Sequence, residues 1–275
     1  ANASHQAQQH ENPQQISHDV LHPQVHDKRI IPQQGQPIQQ SQRFQRFPKP
    51  HFATLPLCHP TTKDQPTYLI AHDDQDLTPA QEQTFLAYLD RAAQGEPIPY
   101  IIGYAPFFDM DLYVSPAVLI PRPETELLVE TAVSLAKAHN YIHIVDTGAG
   151  SGCIPIALAR QLPQASLEAT DISAEALAVA QQNAAEFAPN RITFHLGNLL
   201  QPIAQPVDLI TANLPYVTDQ EWTMLDDGVK LHEPQLALKG GPDGLDIIRD
   251  LLNQATRKLT SGGAILLEIG WQQGQ

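Results

Sequence analysis

The stretch Ile142-His143-Ile144-Val145-Asp146-Thr147-Gly148-Ala149-Gly150-Ser151-Gly152 decides the fold. Ile142–Val145 reads as a strand that ends in Asp146. Thr147 to Gly152 places glycine at every second position, which marks a loop that a ligand can approach closely. Cys153–Leu162 then reads as a helix, with Pro155 tolerated in its first turn. A strand, a glycine-rich loop and a helix in that order open an α/β unit.

The pattern continues downstream. Leu167–Thr170 is a predicted strand ending in Asp171, and Ala174–Phe187 a helix with Ser173 as its N-cap. Ile192–Leu196 and Val207–Ala212 read as strands, Gly244–Leu259 as a helix and Ala264–Ile269 as a fifth strand. Strands alternating with helices predict a mostly parallel sheet with helices on both faces.

Upstream, Thr78 and Pro79 suit the N-cap and first position of a helix that carries Phe85, Leu86 and Leu89 and stops at Gly95-Glu96-Pro97. The apolar residues on either side of Asp109–Asp111 predict a β-hairpin, its aromatics serving either as core or as the wall of a site. From Ser115 to Glu126 the prolines make a stiff connector, and Pro123, Glu124 and Glu126 start a helix that runs to about His139. Arg122, between two prolines, is held in one direction.

Residues 1–60 differ in kind. They are rich in Gln, His and Pro, and hold seven of the 12 histidines, scattered rather than grouped. A polar arm without a packed core is the expectation. Those 60 residues carry five Lys/Arg and three Asp/Glu. The remainder carries 11 and 27, a net of −16. So acidic a body argues against binding a nucleic-acid backbone. Two isolated cysteines make neither a disulfide framework nor a metal site. No apolar run is long enough to span a bilayer, and a cytoplasmic monomer is the expectation.

The glycine loop is G-x-G-x-G, distinct from the dinucleotide and P-loop fingerprints. Asp146 before it suits a cationic group. Asp171, about 20 residues on, suits two ribose hydroxyls. Singly, each Asp is more often a strand-end cap. Together with the loop they fit S-adenosylmethionine. After the fourth strand comes Asn213-Leu214-Pro215-Tyr216, an amide, a stiff turn and a flat ring that together can hold a planar nitrogen.

These stretches resemble a class I methyltransferase with an N-P-P-Y-type amino-methylating motif. Gly95 to Gly103, Ser115 to Glu126, His232 to Asp246 and Leu266 to Gly274 sharpen the match. Together they resemble the HemK-type release factor glutamine methyltransferases over residues 68–275. The resemblance implies a Rossmann-like methyltransferase domain preceded by a small helical domain and a hairpin linker. It implies methylation, from S-adenosylmethionine, of the Gln amide in the Gly-Gly-Gln loop of class 1 peptide chain release factors. Gly148, Ala149, Gly150, Ser151 and Gly152 would wrap the methionine end of the cofactor, with Asp146 near its ammonium. Asp171 would hold the ribose and Asn198 the adenine amino group. Asn213, Leu214, Pro215 and Tyr216 would clasp the Gln, with Asn213 also touching the cofactor.

The sequence departs from that family's pattern. Leu214 replaces the usual first Pro, and Asn198 stands where an acidic residue is common. The expected organisation is an arm at 1–67, a remnant of a helical substrate-docking domain at 68–98, a hairpin linker at 99–121 and a methyltransferase domain at 122–275. That last domain lacks the family's closing two-strand hairpin and is expected to be incomplete. Three other readings stay open: a ribosomal protein L3 glutamine methyltransferase, an adenine-N6 DNA methyltransferase, and a cofactor-binding protein without catalysis.

Overall fold

The computed structural model describes residues 76–274. The expected arm and the first residues of the expected docking segment lie outside them. The first helix, α1 (Pro79–Ala93), begins where its cap chemistry dictates. Thr78 Oγ1 accepts the Gln81 N–H, while the Gln81 side chain reaches back to Thr78, a full capping box. A short helix α2 (Ile98–Ile102) follows and ends on Gly103.

Strands β1 (Tyr104–Phe107) and β2 (Met110–Tyr113) pair antiparallel as the predicted hairpin. Its turn lies at Phe108–Asp109, earlier than the Asp109–Asp111 centre read from the sequence, because Met110 pairs with Phe107. Phe107, Met110 and Leu112 are all core residues. That settles the choice for the hairpin's buried face in favour of packing.

Helix α3 (Glu124–His139) leads into the main sheet. Its strands are β3 (His143–Thr147), β4 (Ser166–Asp171), β5 (Ile192–Leu196), β6 (Val207–Asn213) and β9 (Leu259–Glu268), in the spatial order β5-β4-β3-β6-β9. All four pairings are parallel. Helices α4 (Cys153–Gln161) and α5 (Ala174–Phe187) connect β3 to β4 and β4 to β5.

Period-two alternation divides the core between the two faces. Ile144 and Leu209 pack with Val129 and Ala132 of α3 and Ile156 of α4. Val145, Ile210 and Ala212 pack on the other face, with Ile248 and Leu251 of helix α8 (Asp246–Ala255). Every sheet residue just named is essentially unexposed.

Between β6 and α8 lie elements not foreseen in the sequence. They are β7 (Val217–Thr218), α6 (Asp219–Met224), α7 (Asp227–His232) and β8 (Lys239–Gly241), with β7 and β8 paired. Helix α8 is shorter than the predicted 244–259. Gly244 sits at φ +75°, outside helical backbone, and Leu259 already belongs to β9. Among the described residues no helix is long and apolar enough to cross a membrane.

Candidate active site

The order of strands reverses its direction of winding between β3 and β6. A sheet of this kind binds ligands at that switch point, outside the carboxyl ends of its strands. A cavity of about 640 Å³ opens there. That volume is in the range for a small-molecule site. Its wall includes Gly148, Ala149, Gly150 and Ser151 from the loop after β3, and Asp171 from the end of β4. Asn198 from the loop after β5 and Asn213, Leu214 and Pro215 from the end of β6 complete it.

The loop is held by backbone groups. The Gly148 and Ala149 N–H groups both donate to the Thr170 carbonyl, each at 2.9 Å. The Gly150 N–H donates to Asp171 Oδ2 at 2.9 Å, and the Ser173 N–H to Asp171 Oδ1 at 2.9 Å. Two N–H donors therefore fix the Asp171 carboxylate, a residue of the cavity wall. Gly152 stands behind the others of the loop. It is absent from the cavity wall and caps α4 at φ +82°. A Cβ there would lie 3.2 Å from the Ala180 Cα, so the position permits α4 and α5 to close on each other.

Asp146 is likewise not on the wall. It is 1% exposed, and its Oδ1 accepts the Thr211 hydroxyl at 2.7 Å. Its Oδ2 is buried without a partner. Burial pushes the carboxyl up to about 8, the Thr211 hydrogen bond opposing and the nearby Asp171 charge reinforcing that shift.

Asn198 Nδ2 donates to Asp250 Oδ2 at 3.0 Å. A carboxylate only accepts, so this bond commits the Asn198 amino group and leaves its carbonyl oxygen available. Asp250 and Asp246 also stand on the wall. The residues present suit a ligand with hydroxyls, an exocyclic amine and an ammonium. Asp171 and Asn198 put acceptors on the cavity wall, and the orphaned Asp146 carboxylate oxygen lies buried behind it.

The Asn213–Tyr216 stretch faces the loop across the switch point. Leu214 is 3% exposed and packs over Gly148, where a Cβ would sit 3.1 Å from Leu214 Cδ2. Asn213 Nδ2 donates to Thr125 Oγ1 at 3.1 Å. Thr125 Oγ1 donates to Glu268 Oε2 at 2.7 Å, and the Tyr216 hydroxyl lies 3.4 Å from Glu268 Oε1. Tyr216 itself is not on the cavity wall. Burial, then the Glu268 charge, raises its phenol above the ordinary value.

The clasp is backed by the turn at residues 240–244. A Cβ on Gly240 would run into the Pro215 carbonyl oxygen, and one on Gly244 into that of Tyr216. Gln273 Nε2 donates to the Tyr216 carbonyl at 3.1 Å. The predicted connector forms the roof. Arg122 pairs with Glu233 at 2.6 Å, and Glu233 Oε2 also accepts the Ile120 N–H at 3.3 Å. Sequence reading singled out Arg122 but not its partner, and it missed Thr125, Glu233, Glu268 and the glycine turn as parts of the site. Each of these lies in a stretch that sharpens the family resemblance, Ser115 to Glu126, His232 to Asp246 or Leu266 to Gly274, but that signal gave none of them a place in the site.

A parallel sheet in this order, with a glycine-rich loop after β3 and an acidic residue ending β4, defines a class I methyltransferase fold. In keeping with it, residues 123–231 match the family model described as "Methyltransferase small domain". Residues 51–103 match "PrmC N-terminal domain". A release factor glutamine methyltransferase of Koribacter versatilis is 40% identical over 206 residues, 74% of this chain and 73% of that protein. One from Moorella thermoacetica is 43% identical over 209 residues, 75% and 74% of the two chains. One from Bacillus cereus is 36% identical over 225 residues, 80% and 79%. The chain belongs to the release factor glutamine methyltransferase family.

Proposed function

We propose that the chain methylates the side-chain amide nitrogen of the Gln in the Gly-Gly-Gln motif of class 1 peptide chain release factors. The observation that carries this reading is the placement of Asn213, Leu214 and Pro215 on the wall of the glycine-loop cavity. An amide clasp and a nucleoside site share one cavity, as transfer between a cofactor and a planar nitrogen requires.

S-Adenosylmethionine, when bound, supplies an electrophilic methyl group on a sulfonium. Asp171 would take the ribose hydroxyls, and the Asn198 carbonyl oxygen the adenine amino group. Gly148 to Ser151 would line the methionine end, while Gly152 shapes the loop from behind. Asp146 would act beneath the loop as the acceptor for an ammonium.

An amide nitrogen is a poor nucleophile because its lone pair is delocalised into the carbonyl. The Asn213 carbonyl oxygen and the Leu214 backbone carbonyl would each accept one N–H of the target, with Pro215 stiffening the turn and Tyr216 flanking it. S-Adenosylmethionine held beside this clasp would supply its methyl to that nitrogen, the S–C bond breaking to leave a neutral thioether, and the nitrogen would give up one proton to solvent. Positioning supplies most of the rate, roughly several kcal/mol. Leu214 keeps the carbonyl that the clasp needs, and its side chain packs on the loop at Gly148.

The reading implies work in the cytoplasm on a protein substrate. The arm, docking segment, linker and methyltransferase domain stand as the proposed organisation. Transfer of labelled methyl to a release factor, to ribosomal protein L3 and to DNA tests it. Labelling of the release factor alone, lost when its Gly-Gly-Gln glutamine is replaced, is the expected result. Labelling of L3 or DNA instead, or cofactor binding with no transfer, would overturn it.

A further inference from the structure

We infer that Thr125 and Glu268 are positioning residues that fix which way round the Asn213 amide stands. The inference rests on the methyl-transfer reading above and deepens it. It starts from an ambiguity in the clasp. An Asn side chain offers an acceptor at one corner and donors at the other, and the two ends have nearly the same shape. Only one orientation can accept an N–H from a target amide. The opposite orientation presents donors to donors.

The chain of hydrogen bonds behind Asn213 removes the ambiguity. Glu268 ends β9 and pairs in register with Asn213 at the end of β6, so the two side chains emerge side by side. Its carboxylate accepts only. The Thr125 hydroxyl has one proton, and at 2.7 Å from Glu268 Oε2 that proton is committed. Thr125 Oγ1 then has only lone pairs left to offer Asn213. It therefore meets the amino group, at 3.1 Å, and not the carbonyl oxygen. Thr125 is 1% exposed, so water does not compete for these contacts. The Asn213 carbonyl oxygen is left to serve as an acceptor. The other carboxylate oxygen of Glu268 lies 3.4 Å from the Tyr216 hydroxyl, so one acidic side chain holds both ends of the clasp.

Glu268→Gln separates this role from simple packing, because the shapes are nearly the same. A Gln at 268 whose oxygen accepts the Tyr216 hydroxyl turns its amino group to Thr125 Oγ1 and donates there. The Thr125 proton is then released toward Asn213, and the amide turns its oxygen away from the target. The expected result is a fall in kcat of roughly 10–100-fold, the size of losing one well-aimed acceptor. The cofactor Kd should stay within about threefold, well below the tenfold that 1.4 kcal/mol would bring. Thr125→Val should do the same and Thr125→Ser should restore most of the rate. The double variant Thr125→Val with Glu268→Gln should be little worse than either single one, because both break one chain.

A second readout needs no turnover. In the wild-type protein the Asn213 side-chain NH2 should give a hydrogen-exchange-protected NMR signal, and Glu268→Gln should remove that protection. If Glu268→Gln and Thr125→Val keep kcat within about twofold, or if the NH2 is unprotected in the wild type, the inference fails. If the wild-type chain transfers no methyl to a release factor, the functional reading fails. The NMR signal still decides whether the amide is oriented, including where a variant does not fold.

Discussion

The two halves of the cavity are built by different means. The glycine-loop half is local. Its contacts join Gly148, Ala149 and Gly150 to Thr170 and Asp171, about 20 residues away, mostly through backbone groups. The half built on Asn213–Tyr216, proposed above as the clasp, is assembled from afar. Asn213 is held by Thr125 across 88 positions, Thr125 by Glu268 across 143, and the Tyr216 carbonyl by Gln273 across 57. A short motif can specify the first half. The second exists only once the sheet has brought the ends of β6 and β9 together over the start of α3. Binding and chemistry should therefore respond separately to substitution.

The sharpest way to break that division is Asn213→Ala. It removes the acceptor from the clasp and leaves the glycine loop and Asp171 alone. We expect kcat for methyl transfer to fall roughly 10²–10³-fold, as when a donor or acceptor aimed at the reacting group is lost. Calorimetry should show a much smaller change in cofactor affinity. Equal losses in both would mean that the halves act as one unit.

Two glycines test the same division from the backbone. At Gly152, φ +82° and the 3.2 Å approach of the Ala180 Cα leave no room for a side chain. Gly152→Val should lower stability by about 2–4 kcal/mol, from left-handed strain and overpacking together. It should weaken cofactor binding as α4 and α5 separate. At Gly244 an added methyl meets the Tyr216 carbonyl and the Gln273 amide. Gly244→Ala should displace the clasp and lower kcat roughly tenfold, for about 1.4 kcal/mol of lost alignment, with the melting temperature read alongside. The result that would unsettle the comparison is a kcat effect from Gly152→Val at saturating cofactor and none from Gly244→Ala.

Asp171→Asn is a milder probe of the local half. It replaces one acceptor oxygen that takes the Gly150 or Ser173 N–H by an amino group. Cofactor Kd should rise roughly tenfold, the scale of a charge-assisted hydrogen bond lost at a binding site. Titration calorimetry reads it directly, and kcat at saturation should hold.

What was legible in the sequence follows the same line. The Ser173 cap, the span of α5, the hairpin and the alternation of strand and helix were readable because each depends on neighbours within a few residues. So was the glycine loop with Asp171. The insertion from β7 to β8 was not, since its short helices have no apolar face: α6 and α7 bury no residue. Glu126 looked like helix-start chemistry and does stand in that first turn, yet its Oε1 also accepts the Phe108 N–H at 2.7 Å and ties the hairpin to α3. Glu233 and Glu268 lie in stretches that sharpened the resemblance, but their roles could not be read because their partners arrive through the tertiary fold. Asp146 is the opposite case. Its position in the motif suggested a ligand on the wall, and the structure sets it one layer deeper.

That depth has a consequence that pH exposes. In the folded chain burial raises the Asp146 carboxyl to about 8, against about 3.9 in an unfolded chain. Between those values the folded state binds more protons than the unfolded one, so stability must fall as pH rises. The contribution is fully present below the unfolded value and is gone once pH passes the folded value. Asp146→Asn keeps the shape of the neutral form, including an oxygen for the Thr211 hydroxyl, and cannot ionise. Denaturant unfolding of the cofactor-free protein from pH 5 to 8.5 should show wild-type stability declining relative to the variant across that window. S-Adenosylmethionine should narrow the gap, because the ammonium proposed to lie above the loop would favour the ionised carboxylate. A difference that stays constant with pH would mean that the buried oxygen is already charged when the site is empty.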